Sequence, residues 1–520
     1  MLKKIPIHPI LFAVYPILFL YTHNISLLEI NHIFTPVIWS TVGVVIIWSV
    51  LNLIIRNRFK SSAFTSSIIV LFFSYGHMIV ALNNFPENVI GISSDLYVSI
   101  NYLLILGIVG YMLIKYTINY LVVTGYINLI GLMLLLFPLY TIFTNYMPYG
   151  KEGIDQAKNS SFNIDKIENP EVFEKPDIYY IILDGYGRED VLKSVYGYDN
   201  KGFLNELKMR GFFIATKSNA NYCQTLLSLS STLNMNYLDT SYGLANTENY
   251  RRYLSSTVLK NRVTESLKQI GYKFVTFATG YSGTEIKNSD LYISPRFSLD
   301  EFQFMIIGTT PLYKLLELIP DQSPIYLHRQ RILYTLDKIP DVNLDNKPMF
   351  LFAHIVAPHP PFVLNLNGES FVQLKNHIFN YHDGSHYHSF IESIMREYKE
   401  NYISQLKELN KLIIEMLDEI MAKEGRDKVV IIQSDHGPGF NLNWEKPSID
   451  TFNERLPILN AYFFPNEDDI LISESITPVN TFRILFNHYF NSNYEILENK
   501  SYFSTWSNPQ RFICVDRYFQ

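Results

Sequence analysis

The chain has 520 residues, 48% of them hydrophobic, with a formal net charge of -6 at pH 7 and two cysteines. That length exceeds one ordinary domain, the charge is too mild and its cations too dispersed for a nucleic-acid binder, and two thiols exclude a disulfide scaffold. Apolar residues crowd towards the N-terminus, so the chain reads as two parts.

Residues 5–21, 35–55, 64–83, 98–115 and 117–144 are long apolar stretches with almost no charge, each about the length that crosses a ~30 Å hydrocarbon core. They predict a five-helix transmembrane domain over residues 1–145. Lys3 and Lys4 precede the first stretch as in a secretory signal, but no small-residue cleavage site follows, so it reads as an anchor. Lys3, Lys4, Arg56, Arg58, Lys60 and Lys115 occupy alternate connections, and Glu29, Glu87 and Asp95 occupy the others. This positive-inside pattern puts the N-terminus of a multi-pass cell-membrane protein in the cytoplasm and the chain beyond about residue 145 outside.

Residues 146–176 are polar, with Gly, Pro and Ser in place of any apolar period, and read as a linker. Residues 177–520 then alternate strand-like and helical runs. "DIYYIILDGYGRED" is a strand ending in a turn, "GFLNELKMRG" is helical, and "QTLLSLSSTLNM" opens another helix. "YKFVTFAT" is a strand, "PMFLFAHIVAPHPPF" is a strand breaking into a proline loop, "ENYISQLKELNKLIIEMLDEIMA" is a long amphipathic helix, and "DKVVIIQSDHG" is again a strand. Such alternation predicts an α/β domain with a mostly parallel sheet covered by helices on both faces. Ligands of these sheets bind beyond the carboxyl ends of the strands.

Three predicted strands end in chemically useful groups: Asp184, the pair His354 and His359, and the pair Asp435 and His436. Thr225 opens a helical run rich in small hydroxyl residues. Two carboxylates, an imidazole and a fourth oxygen suit one divalent ion, zinc or manganese better than magnesium or calcium. If Thr225 supplies that oxygen, the metal lowers the hydroxyl's pKa and makes it a nucleophile. The helix dipole starting there would favour an anionic ester, and another histidine could bind its oxygens or protonate the leaving group.

"PDIYYIILDGYGR", "NYCQTLLSLSSTLN", "HPPF" and "SDHG", in that order over most of residues 177–440, resemble the sulfatase-like branch of the alkaline phosphatase superfamily. That branch includes lipoteichoic acid synthases and phosphoethanolamine transferases, which join five membrane spans to an extracytoplasmic catalytic domain. The resemblance implies that Asp184, Asp435 and His436 hold the metal and that Thr225 is both nucleophile and ligand. It implies that His359 faces the anionic group, with His354 able to exchange roles with it. "ERLPILNAYFFP" resembles the strand after the metal pair, which extends the similarity to about residue 490. The implied activity is a metal-dependent hydrolase or transferase that moves a phosphoryl-type group from a phospholipid to a lipid or glycan acceptor.

Two departures bear on that activity. Sulfatases that cleave sulfate esters carry Cys or Ser in a C-x-P-x-R pattern, absent here, and Cys223 is followed by "QTLL". They usually begin with two adjacent aspartates, whereas Gly185 follows Asp184. Both favour a one-metal phosphotransfer enzyme over a sulfatase. A sulfate-ester hydrolase, and an outer domain that binds glycans or partners without catalysis, stand as alternatives. Simpler readings also exist: Asp184-Gly185 as a turn, Thr225 as an N-cap, and Ser228, Ser230 and Ser231 as packing residues. The cluster His377, His382, His386 and His388 is either a second metal site or a polar insertion, and Cys223 and Cys514 could pair.

Overall fold

The computed structural model describes residues 5–25, 28–83, 92–116, 119–146, 175–239, 247–296, 298–319, 323–344, 347–364, 383–387, 392–465 and 472–518. The expected linker lies almost wholly outside them. The chain forms two compact units: the described residues of Met1–Lys151 and Leu299–Pro324, and those of Glu152–Ser298, Ile325–Val372 and Tyr381–Gln520.

The first unit begins with helices α1 (His8–His23), α2 (Phe34–Ile55), α3 (Arg58–Asn83), α4 (Ser94–Lys115) and α5 (Tyr120–Tyr146). Helices α2 to α5 are long and apolar enough to cross a membrane. Helix α1 is not: its 16 residues rise about 24 Å at 1.5 Å each, short of a ~30 Å core. Among the described residues, four helices in place of the expected five are therefore long and apolar enough to span. The start of α1 is held by Asn128 of α5, whose Oδ1 accepts from the backbone N–H of Ile7 (3.1 Å) and His8 (2.9 Å). A helix start has N–H groups without intrahelical partners, and a buried amide from a neighbouring helix satisfies two of them where water is scarce.

The second unit runs β1 (Asp177–Leu183), α6 (Glu189–Tyr196), α7 (Lys201–Met209), β2 (Phe213–Ile214), α8 (Thr225–Asn234), α9 (Thr247–Leu259), α10 (Arg262–Gln269), β3 (Lys273–Phe277) and β4 (Leu291–Ile293). Two short helices, α11 (Glu301–Gly308) and α12 (Leu312–Leu318), follow in sequence and belong to the first unit. The chain then continues through α13 (Pro324–Lys338), β5 (Met349–Ile355), α14 (Glu392–Ala422), β6 (Lys428–Gln433), α15 (Ile449–Arg455), β7 (Asn460–Phe463), α16 (Thr481–Phe490), β8 (Tyr502–Phe503) and β9 (Ile513–Cys514).

Seven strands form one sheet in the order β2-β7-β6-β1-β5-β3-β4. Strands β6, β1, β5, β3 and β4 are mutually parallel, and β7 joins antiparallel to β6 and β2. The α/β fold with a mostly parallel sheet is as expected. Strand β1 reads as an unbroken apolar run because both of its faces are covered. Tyr179, Ile181 and Leu183 point into a core shared with Leu192 of α6, Leu207 of α7, Leu336 of α13 and Leu406, Ile413 and Leu417 of α14. On the other face Tyr180 packs edge-on against Phe482 of α16, their rings 4.9 Å apart.

The ends of β1 and β6 are tied by Ser434. Its Oγ lies 2.7 Å from Leu183 O and 2.6 Å from His436 O, and accepts from Tyr186 N at 2.8 Å. Removing the hydroxyl leaves buried backbone groups unpaired, at about 1–3 kcal/mol. Ser434→Ala is therefore expected to lower the unfolding free energy by that amount in denaturant titrations of detergent-solubilised protein, and a change under about 0.5 kcal/mol would contradict the tie.

Candidate metal centre and active site

Ile182 of β1 is paired with His354 of β5 and with Gln433 of β6. Three adjacent central strands thus end at one level, on the carboxyl edge where α/β sheets bind ligands. Asp184 follows the end of β1, and Asp435 and His436 follow β6 after Ser434. Gly185 turns the chain away with φ +75, a conformation that favours glycine, and its N–H donates to Asp435 Oδ1 at 3.3 Å. Gly437 has no room for a side chain, since a Cβ there would lie 2.2 Å from Glu454 O. The sequence "SDHG" is thereby explained residue by residue.

Ligand atoms of Asp184, Asp435 and His436 lie within 4.8 Å of one another, and all three residues are buried. His436 Nδ1 is 2.9 Å from Gly437 O; only an N–H can pair with a carbonyl, so Nε2 carries the lone pair. That Nε2 is 3.3 Å from Asp435 Oδ2, 3.5 Å from Asp184 Oδ1 and 3.2 Å from Thr225 Oγ1. Asp184 Oδ1 and Asp435 Oδ2 are buried acceptors without a hydrogen-bond donor among the described residues. Burial and the neighbouring Asp184 carboxylate push Asp435 up to about 6. Burial acts in the same direction on Asp184, but the imidazoles of His359, His354 and His436 outweigh it and hold this carboxyl below the usual range. Burial, with Arg455 next to it, keeps His436 well below its ordinary value and therefore neutral. Orphaned carboxylate oxygens around a neutral imidazole lone pair fit a divalent cation.

Thr225 is the first residue of α8. The N-cap is Gln224, so the capping explanation for Thr225 is corrected: its side chain faces His436 instead. The other hydroxyls of α8 are packing groups, as the simpler reading had it. Ser228 donates to Tyr222 O (2.8 Å), Ser231 to Asn236 O (2.8 Å), and Ser230 bonds with Thr257 (2.6 Å).

Both candidate histidines reach the site. His354 is buried, its Nε2 3.3 Å from Asp184 Oδ2 and its Nδ1 2.8 Å from Thr284 Oγ1. His359 is half-buried on the loop after β5. Its backbone N–H donates to Asp184 O at 2.9 Å, and its ring centre is 6.3 Å from that of His436. Of the histidine-rich stretch, His377, His382 and His388 lie outside the described residues, and His386 sits in the short turn Gly384–Tyr387. Cys223 and Cys514 are free, the first buried and the second exposed, so the pairing left open does not form.

One residue of the site was not anticipated. Arg455, at the end of α15, is buried and directs Nη2 to within 3.0 Å of His436 Nε2, while its Nε donates to Cys223 O at 2.9 Å. In "NERLPIL" it read as the approach to a strand. A cation at the head of the apolar run "LPIL" was the available signal.

A family model described as Sulfatase matches residues 176–456. The chain belongs to the sulfatase family. The match ends before β7, short of the expected limit near residue 490. No match was found among curated proteins. Similar solved structures include the C-terminal periplasmic domain of EcEptC from Escherichia coli in complex with Zn, 11% identical with a TM-score of 0.38, covering 66% of this chain and 93% of that one. The lipoteichoic acid synthase LtaP from Listeria monocytogenes is 13% identical with a TM-score of 0.38, over 67% and 82% of the two chains. The integral membrane lipooligosaccharide phosphoethanolamine transferase A from Neisseria meningitidis is 12% identical with a TM-score of 0.35, over 91% and 94%.

A cation must displace the proton from Asp435, whose carboxyl stands at about 6. The affinity for zinc or manganese, measured by titration calorimetry, is therefore expected to rise up to ~10-fold per pH unit below that value and to flatten above it. Asp435→Asn should abolish stoichiometric binding. Affinity that does not change between acid and neutral pH would contradict this donor set.

Proposed function

We propose that this sulfatase-family chain is a membrane-anchored, metal-dependent phosphotransferase with Thr225 as nucleophile. One observation carries the reading: Thr225 Oγ1 lies 3.2 Å from His436 Nε2, beside two buried carboxylates. A divalent ion held by Asp184, Asp435 and His436, zinc or manganese by its mixed nitrogen and oxygen donors, would supply the charge that lowers the pKa of the threonine hydroxyl and polarises the ester. Thr225 loses its proton to solvent and its Oγ1 attacks phosphorus, forming a phosphothreonine as the bond to the leaving oxygen breaks. His359, with His354 as the alternative, protonates that oxygen. Arg455, whose Nη2 would give up the His436 Nε2 lone pair to the ion, and the N–H groups at the start of α8 bind the non-bridging oxygens. Attack by a second hydroxyl then frees Thr225. If that hydroxyl belongs to a lipid or glycan the enzyme is a transferase, and if it is water, a hydrolase.

The membrane helices favour a phospholipid donor, because a head group already held at the surface loses less freedom on reaching the site. Arg56, Arg58 and Lys60 at the α2–α3 connection and Lys115 at the end of α4 share one end of the spans, and α5 leaves from the other. The positive-inside rule then turns the catalytic unit outwards whether or not α1 crosses.

Against a sulfate-ester hydrolase stands Cys223, buried with its Sγ accepting from Ser504 N at 3.4 Å and its thiol pushed up to about 11 by burial. It is neither exposed nor ionised, as an oxidisable catalytic cysteine is. Incubation with labelled phosphatidylethanolamine and phosphatidylglycerol is expected to leave a phosphoryl adduct on Thr225 by mass spectrometry, with none in Thr225→Ala. An unlabelled Thr225 in metal-loaded protein would sink the proposal. Arg455→Ala is expected to reduce kcat by roughly 10²–10³, and an unchanged kcat would remove Arg455 from the site chemistry.

A further inference from the structure

Residues Leu299–Pro324 lie between β4 and β5 in sequence yet belong to the helical unit. Their attachment there is close. Gly76 of α3 donates its N–H to Thr309 O at 3.0 Å, and a Cβ on Gly76 would fall 2.1 Å from Gly308 O. Phe302 of α11 meets Tyr21 of α1 edge-on with rings 6.2 Å apart, and Lys314 of α12 pairs with Asp95 at 3.5 Å. Beside this attachment, α1, α2, α3 and α11 enclose a cavity of about 420 Å³, a size common for small-molecule sites.

We infer that this cavity holds one acyl chain of a membrane lipid. Its walls are mostly apolar, among them Val44 and Ile47 of α2, Ile69 and Phe72 of α3 and Ile306 of α11, with Ser40 and Gln303 among the few polar side chains. Along α2 it extends from Thr35 to Ile47, about 18 Å at 1.5 Å per residue, close to one leaflet of a ~30 Å core. It is continuous with the lipid phase, since Trp39 both lines it and is 70% exposed on a helix whose apolar window is only 6% buried. At that depth in a membrane the molecules available to an apolar cavity are lipid chains. The orientation given above puts its Thr35 end in the outer leaflet, so the inference rests on that reading for its side of the membrane and on no feature of the metal centre.

Gly43 provides the test. It lines the cavity, and a Cβ there meets nothing within 4 Å, as is also true of Gly107 on α4. Gly43→Phe therefore fills the space without a backbone clash, and Gly107→Phe is the matched control. The full chain, in nanodiscs containing phosphatidylethanolamine with a diazirine midway along one acyl chain, is irradiated and the adducts are mapped by mass spectrometry. Adducts are expected to concentrate on α2, α3 and residues 299–318. They should fall about 10-fold or more in Gly43→Phe, the loss expected when two or more methylenes are turned out of an apolar site, and persist in Gly107→Phe. Equal labelling of the two variants, or adducts spread evenly over α4 and α5, would overturn the inference. Thr225→Ala is expected to label like the wild type, so a failure of the threonine chemistry and a failure of the cavity give different results.

Discussion

Two carboxylates buried side by side are the feature on which the second unit turns. At separations below 4.8 Å like charges repel by on the order of 4 kcal/mol even at an effective dielectric constant of 20. A fold that keeps both must either protonate one or neutralise the pair. The raised carboxyl of Asp435 and the lowered one of Asp184 are the first response, and a divalent cation is the second. Neither would be needed if the chain let Asp184 and Asp435 separate. It does not, because they end neighbouring parallel strands whose tips are joined through Ser434 and whose exit past Gly437 leaves no space for a detour.

A second buried acid shows what an ordinary structural carboxylate looks like in the same molecule. Glu454 accepts from Tyr196 Oη at 2.6 Å and from the N–H groups of Phe440 at 2.7 Å and Asn441 at 2.5 Å. Its charge is spread over three donors, and it fixes the loop after His436 against α6. Among the described residues no donor reaches Asp184 Oδ1 or Asp435 Oδ2. Burial is common to the three residues. Satisfaction of their oxygens separates the one that holds the fold together from the two proposed to bind a cation.

Much of this was legible in the order of the residues. An apolar run that stops on Asp or Asp-His marks the end of a doubly covered strand, and the parallel α/β rule puts such ends on one edge. Asp184, His354, His359, Asp435 and His436 were found that way, and Thr225 by the helix that starts on it. Other features depend on contacts distant in sequence. Arg455 reaches His436 through the turn of α15, which a linear reading of "NERLPIL" does not reveal. Residues 299–318 lie between two strands of the catalytic unit in sequence, and their attachment to the membrane helices rests on long-range contacts of Gly76 with Thr309, Tyr21 with Phe302 and Asp95 with Lys314. The first apolar stretch was counted as a span because hydropathy measures composition, whereas α1 ends at His23 after 16 residues.

The fixed charges of the site limit what it can receive. Asp184, Asp435 and the Asp383 carboxylate paired with Arg455 at 3.9 Å bring three negative charges and Arg455 one positive, leaving a net of two negative charges. A divalent cation would bring that to neutrality, so a monoanionic ester would leave one charge uncompensated and a dianionic one two. A phosphodiester, the form of phosphorus in a phospholipid, is a monoanion; a phosphomonoester near neutral pH is close to a dianion. Burial makes the imbalance expensive, because an uncompensated charge there is poorly screened. The same arithmetic accepts a sulfate monoester, so charge alone does not choose between phosphorus and sulfur. That choice rests on the proposed nucleophile, Thr225, whose hydroxyl is 3.2 Å from His436 Nε2, whereas Cys223 is held among the Ser504 contacts.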